Sequence, residues 1–200
     1  QRGRQDFTRL TTIHLDDYVG LAANHPASCR SYMRQALFDH VNLRPDQTLI
    51  PDGRAEANLM ACCAAYEQAI ADCGGIDLQV LGIGLNGHLG FSHTTRTANR
   101  RSFAGEDVPE AAITMGLGTI RAAHRLLLLA TGSNKAEAIA AALEGPITAS
   151  VPASVLHLHG DALILLDEAA ASGLSRRDHY AEEIKTVRQF TPQQFVNIFD

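Results

Sequence analysis

Reactive side chains gather at three places along the 200 residues. Asp16 and Asp17 close a short β-branched run at residues 10–15. A carboxylate at a strand end serves as a base that takes a proton from a sugar or other carbonyl compound, as a metal ligand, or as a helix cap. No second acidic cluster with ligand spacing accompanies the pair, so no metal is expected. The second place is Gly82-Ile83-Gly84-Leu85-Asn86-Gly87-His88. Its glycines permit close backbone approach. The His88 imidazole, which titrates nearest neutral pH, is either satisfied by adjoining backbone or used as a proton shuttle. The third is Thr131-Gly132-Ser133-Asn134-Lys135, where a strand gives way to an alanine-rich helix. Free N–H groups at a helix start attract anions, and hydroxyls and an ammonium add donors. The segment therefore holds a phosphate, or it is an ordinary N-cap by Ser133 beside a solvated lysine. Arg96, Arg100 and Arg101 either meet the same anion or form a solvated loop.

Hydrophobic spacing supplies the elements that must position these groups. Residues 10–15 read as a strand ending in Asp16-Asp17, and residues 25–41 as a helix with Pro26 in its first turn. A second, alanine-rich helix is expected over 55–71, stopped by Asp72-Cys73-Gly74-Gly75. Residues 76–83 read as a strand entering the glycine turn. Residues 111–115 form another strand, followed by a short helix to residue 123. The run RLLLLA at 125–130 has the continuous apolar character of a strand covered on both faces. A helix over 135–143, a short helix over 152–158, a last strand over 162–166 and a polar helical tail from 175 complete the order. Strands alternating with helices mean one α/β domain with a mostly parallel sheet flanked by helices, spanning 1–200 with its core at about 10–168. Ligands of open α/β sheets bind beyond the carboxyl ends of the strands, which puts all three reactive places on one rim.

Composition narrows the field. Hydrophobic residues at 46% and charged residues at 20% exclude disorder and coiled coil. No apolar run approaches the roughly 20 residues that span a bilayer. Seventeen basic against 22 acidic side chains, net −5, provide no positive field for nucleic acid. Only Lys135 and Lys185 are lysines, so a lysine at the head of a helix is worth weighing. Cys29, Cys62, Cys63 and Cys73 form no C-x-x-C pair and are expected to be buried free thiols in a reducing cytoplasm. The glycines match G-x-G-x-x-G, but residues 90–95 (GFSHTT) make a poor helix. No strand precedes Glu106 and Asp107, the acidic residues about 20 positions on, so neither a nicotinamide nor a flavin is expected.

Taken together, these pieces resemble the glucosamine-6-phosphate deaminase/isomerase family and its galactosamine-6-phosphate relatives. The resemblance is carried by LDDYVGL at 15–21, HPASCRSYM at 25–33, LGIGLNGHLGF at 81–91, ITMGLGT at 113–119, TGSNKA at 131–136, Glu144-Gly145 and PASVL at 152–156. It implies a Rossmann-like domain and a cofactor-free conversion of a hexosamine 6-phosphate to a ketohexose 6-phosphate plus ammonia. On this resemblance Asp16 is the base that moves a proton between C2 and C1. His88 opens the pyranose ring, and Arg101 and Lys135 hold the phosphate. Asp17, Gly84 and Gly87 are then substrate contacts. The implied partner is a small hexosamine phosphate, bound by a monomer or a homo-oligomer, with neither nucleic acid nor membrane.

Departures from the family's pattern stand beside this. Asn86 occupies the usual place of an aspartate that works with the histidine; asparagine orients an imidazole but carries no charge. Galactosamine-type relatives resemble this chain there. His93 stands where a glutamate is usual, and is expected to take over part of its role. The stretch from His93 to Arg101 is short, and because allosteric members bind their activator there, no such regulation is expected. The family's first βα unit, whose loop holds the other side of the phosphate, is expected to be missing before Asp6. Two alternatives follow: a 6-phosphogluconolactonase-like hydrolase in which His88 activates water, and a non-catalytic sugar-phosphate sensor.

Overall fold

The computed structural model describes residues 6–54, 58–91 and 109–190, with side chains as far as residue 183. His93, Arg96, Arg100 and Arg101, together with the stretch between them that is expected to be short, lie outside the described residues. Seven strands are found among the described residues: β1 (Thr12–Ile13), β2 (Asp16–Tyr18), β3 (Thr48–Leu49), β4 (Leu78–Leu81), β5 (Ala112–Thr114), β6 (Arg125–Ala130) and β7 (Ala162–Leu166). The α-helices are α1 (Cys29–Ala36), α2 (Leu59–Asp72), α3 (Leu117–Arg121), α4 (Ala136–Glu144) and α5 (Arg177–Phe190).

The main sheet is parallel, in the order β4-β6-β7. One of its faces builds the core: Leu81, Leu126 and Leu128 pack with Ile120 of α3, Ile139 and Ala142 of α4, and Ala153. Burial alternates along β6, with Leu126, Leu128 and Ala130 inside and Leu129 45% exposed. Among the described residues the apolar run is therefore not fully covered on both faces. Leu78 and Val80 of β4 and Leu165 of β7 are open as well, so continuous hydrophobicity here overstates burial. Two smaller ladders flank this sheet: β1 pairs in parallel with β3, and β2 pairs antiparallel with β5.

The first expected strand divides. Only Thr12 and Ile13 pair with β3, and the chain then turns so that Asp16 and Asp17 open a strand of their own rather than end one. Tyr66 of α2 fixes this change of partner. Its hydroxyl lies 2.8 Å from the His14 carbonyl oxygen and accepts the His14 N–H at 3.1 Å. Buried Gln47 donates to the carbonyls of Thr8 and Leu10, clasping the segment before β1.

Helix α1 is shorter than the spacing suggests. The His25 ring accepts the Ala27 N–H, holding residues 25–28 in a turn, and Ser28 caps the helix by accepting from Ser31 N–H. Pro26 thus precedes the helix instead of sitting in its first turn. Of the cysteines, Cys29, Cys62 and Cys63 are half-buried and Cys73 is exposed, all as free thiols, so none is fully buried. Among the described residues no helix is long and apolar enough to cross a membrane, and no group of His, Cys, Asp and Glu has the arrangement of a metal site.

Candidate active site

Asp16 lies at the head of β2, directly opposite Thr114 of β5. Burial pushes its carboxyl above the ordinary range. A hydrogen bond from the Cys29 thiol opposes that rise and the charge of Asp17 adds to it. The thiol approaches Asp16 Oδ1 to 3.4 Å. Asp17 is buried, and its Oδ1 accepts the N–H of Tyr18 (2.8 Å) and that of Cys29 (3.0 Å). It thereby ties the start of α1 to β2. It also borders a recess shared with Arg30, Asp52 and Arg54.

The glycine turn follows β4. Gly84 N–H donates to the His88 carbonyl (2.8 Å) and Gly87 N–H to the Gly84 carbonyl (3.0 Å), closing a tight loop. Gly87 has φ +73° and faces Val151, while its carbonyl accepts from Ala153 N–H at 2.8 Å. The PASVL motif is thus the backing of the turn that carries His88. Among the described residues, the His88 ring and the Asn86 amide make no hydrogen bond; Asn86 Oδ1 lies over Gly84. The imidazole is half-buried, on a turn whose Leu85 and Asn86 are exposed and whose Gly87 is buried.

The turn's exit is joined to Asp16. The Thr114 hydroxyl accepts the Phe91 N–H at 3.2 Å, three residues beyond His88, while Thr114 itself pairs with Asp16. The Phe91 ring stacks edge-on against Tyr18 of β2, centroids 4.9 Å apart. Thr114 therefore ties the strand that carries Asp16 to the exit of the turn that carries His88.

Lys135 closes the third piece. Residues Ser133–Lys135 form one 3-10 turn ahead of α4, and the Lys135 ammonium donates to the Ile83 carbonyl at 2.6 Å. It is neither a freely solvated lysine nor the neighbour of a Ser133 cap: the helix N-cap is Lys135 itself, and the Ser133 hydroxyl makes no hydrogen bond among the described residues. Gly132 N–H instead donates to Asp167 at the end of β7. Sequence reasoning missed Cys29, Thr114 and Asp167. Each works through one contact to a distant segment, and neither spacing nor composition marks such contacts.

Fold and site define an α/β protein that presents a half-buried carboxylate, an imidazole on a glycine turn and an ammonium at a helix entrance. Residues 3–165 match the family of glucosamine-6-phosphate isomerases and 6-phosphogluconolactonases. Glucosamine-6-phosphate deaminase of Shewanella halifaxensis is 48% identical, over 87% of this chain and 72% of the relative. That of Cellvibrio japonicus is 45% identical, over 90% and 74%. A solved monomeric glucosamine-6-phosphate deaminase superposes with a TM-score of 0.80 at 42% identity, covering 84% of this chain and 76% of that one. 6-Phosphogluconolactonase from Trypanosoma cruzi, at 21% identity and a TM-score of 0.64, shares the fold. The chain belongs to the glucosamine-6-phosphate isomerase/6-phosphogluconolactonase family.

Proposed function

We propose that the chain isomerises and deaminates a hexosamine 6-phosphate, with water releasing the amine as ammonia and leaving a ketohexose 6-phosphate. The observation that carries this reading is the link from Asp16 through Thr114 to the exit of the His88 turn, which supports Asp16 as the base and His88 as the proton shuttle of one site. Lys135 and Arg101 take the phosphate. His88, with Asn86 in the same turn and His93 assisting, moves the anomeric hydroxyl's proton to the ring oxygen and so opens the sugar. Asp16 then takes the proton from C2 and returns it to C1. Gly84 and Gly87 let the sugar approach the turn, and Asp17 holds the strand that presents Asp16.

Glucosamine 6-phosphate is the first substrate to test, because the relatives at 43–48% identity are named for it. Asn86 makes galactosamine 6-phosphate the second. A cytoplasmic location suits free thiols and a phosphorylated sugar. The test is ammonia and acid release by the protein from glucosamine 6-phosphate, galactosamine 6-phosphate and 6-phosphogluconolactone. Ammonia that disappears in Asp16→Asn and His88→Gln supports the reading. Acid from the lactone without ammonia from either amino sugar would replace it with a hydrolase, and thermal stabilisation by a sugar phosphate without any product would replace it with a sensor.

A further inference from the structure

We propose that Cys29 is a positioning residue for Asp16: its thiol holds Oδ1 and leaves Oδ2 as the oxygen that takes the substrate proton. This rests on the deaminase reading above. Three observations place the thiol in that role. It lies 3.4 Å from Asp16 Oδ1, and among the described residues no other group hydrogen-bonds this carboxylate. Its backbone is fixed, because Cys29 N–H donates to buried Asp17 and Ser28 caps the same helix end. The thiol also stays in the donor form, since burial and the two carboxylates raise it well above an ordinary cysteine.

An unheld carboxylate rotates between two equivalent oxygens, and each rotation moves the proton acceptor relative to C2. A donor on one oxygen removes that freedom and directs the other lone pairs into the site. Among the described residues, the titratable groups facing Asp16 are Asp17 on its own strand, Cys29 from α1 and Tyr66 from α2. The Tyr66 hydroxyl is engaged with backbone at His14 and Leu49, and Thr114 opposite carries no charge. Cys29 is thus the donor that offsets the repulsion from Asp17. The proton ledger closes with the substrate's own groups: C2–H goes to Oδ2 while its electron pair forms C1=C2 and the C1 carbonyl pair moves to O1, which takes a proton from the substrate ammonium; the Oδ2 proton then goes to C1 as the nitrogen lone pair forms the C2 iminium that water hydrolyses. The thiol proton is not transferred.

The test compares the wild type with Cys29→Ala and Cys29→Ser. In Cys29→Ala, kcat with the amino sugar phosphate falls roughly 3–10-fold, KM changes less than about twofold, and the acid limb of the rate profile moves up by about half a pH unit or more. Cys29→Ser restores a donor and returns the limb toward the wild-type position. A second readout needs no turnover. Iodoacetamide labelling of Cys29, followed by mass spectrometry across pH, sets in at lower pH in Asp16→Asn, while Cys62, Cys63 and Cys73 label as before. An unmoved acid limb in Cys29→Ala, or equal loss in the alanine and serine variants, overturns the assignment while the deaminase reading stands. Unchanged Cys29 labelling in Asp16→Asn also overturns it. A wild type that releases no ammonia overturns the deaminase reading itself.

Discussion

The Lys135 ammonium reaches across 52 positions to the Ile83 carbonyl, 2.6 Å away, and so pins the entrance of α4 to the glycine turn that carries His88. An ammonium has three donors and one is used here, which leaves two for an anion. Lys135→Met keeps the stem and removes the charge. It is expected to raise KM for the sugar phosphate roughly 10–100-fold, the value of about 1.5–3 kcal/mol for hydrogen bonds to a charged group. Inorganic phosphate should raise the melting temperature of the wild type and not that of the variant. An unaltered KM would remove Lys135 from the phosphate site.

The pH dependence follows from Asp16. The base works deprotonated, so activity falls as pH drops through its folded value. Burial raises that value, and the acid limb of kcat/KM therefore sits above the usual aspartate value of about 4. Asp16→Asn should lower kcat by about 10²–10⁴-fold. Its effect on stability has the opposite sign. A carboxyl whose folded value is raised favours the fold below its unfolded value and loses that contribution as pH rises through the folded one. At neutral pH the asparagine variant, which buries no charge, should melt higher than the wild type, with the gap closing as pH falls. A variant that melts lower at pH 7 and higher at pH 4 would contradict this.

Much of this architecture is legible in the sequence, for physical reasons that differ by element. The strands at 125–130 and 162–166 are found as read because apolar runs of five or six residues between turn signals leave few alternatives. The TGSNK and glycine-turn segments are legible because loops at sheet edges concentrate hydroxyl, imidazole and ammonium chemistry. What escapes is what depends on tertiary partners. Asp16 begins a strand because β5, almost 100 positions later, supplies its ladder, and Tyr66 redirects the chain at His14. Leu129 and Leu165 are apolar yet nearly half exposed, which a continuous apolar run does not signal. Cys29 reads as a bland thiol until α1 is folded onto β2.

Thr114 offers a test of whether geometry alone sustains the rim. Thr114→Val preserves shape and removes the acceptor of the Phe91 N–H. The position is open to water, which replaces the lost partner, so the stability cost should stay below about 1.5 kcal/mol. Displacing His88 relative to Asp16 is costlier for rate, because misplacement on the scale of an ångström can cost about 10²-fold. A kcat reduced roughly tenfold with a melting temperature shifted by only a few degrees is expected, and Thr114→Ser should recover most of it. Equal losses in valine and serine variants would assign Thr114 to packing instead.

Gly87 and Val151 provide the sharpest steric prediction. The backbone at Gly87 has φ +73°, and a Cβ built there would lie 2.6 Å from Val151 Cγ1. An alanine meets two penalties, about 1–2 kcal/mol for the left-handed conformation and about 1–3 kcal/mol for overpacking. Gly87→Ala should therefore lose several kcal/mol in urea unfolding. It should also lose activity beyond what stability explains, because relief of the clash moves the turn bearing His88. Val151→Ala removes the opposing methyls, so the double variant should recover the overpacking part while the conformational part remains. The coupling energy in that cycle is expected at about 1–3 kcal/mol, favourable to the pair. Strict additivity of the two substitutions would mean that the PASVL segment does not support the turn.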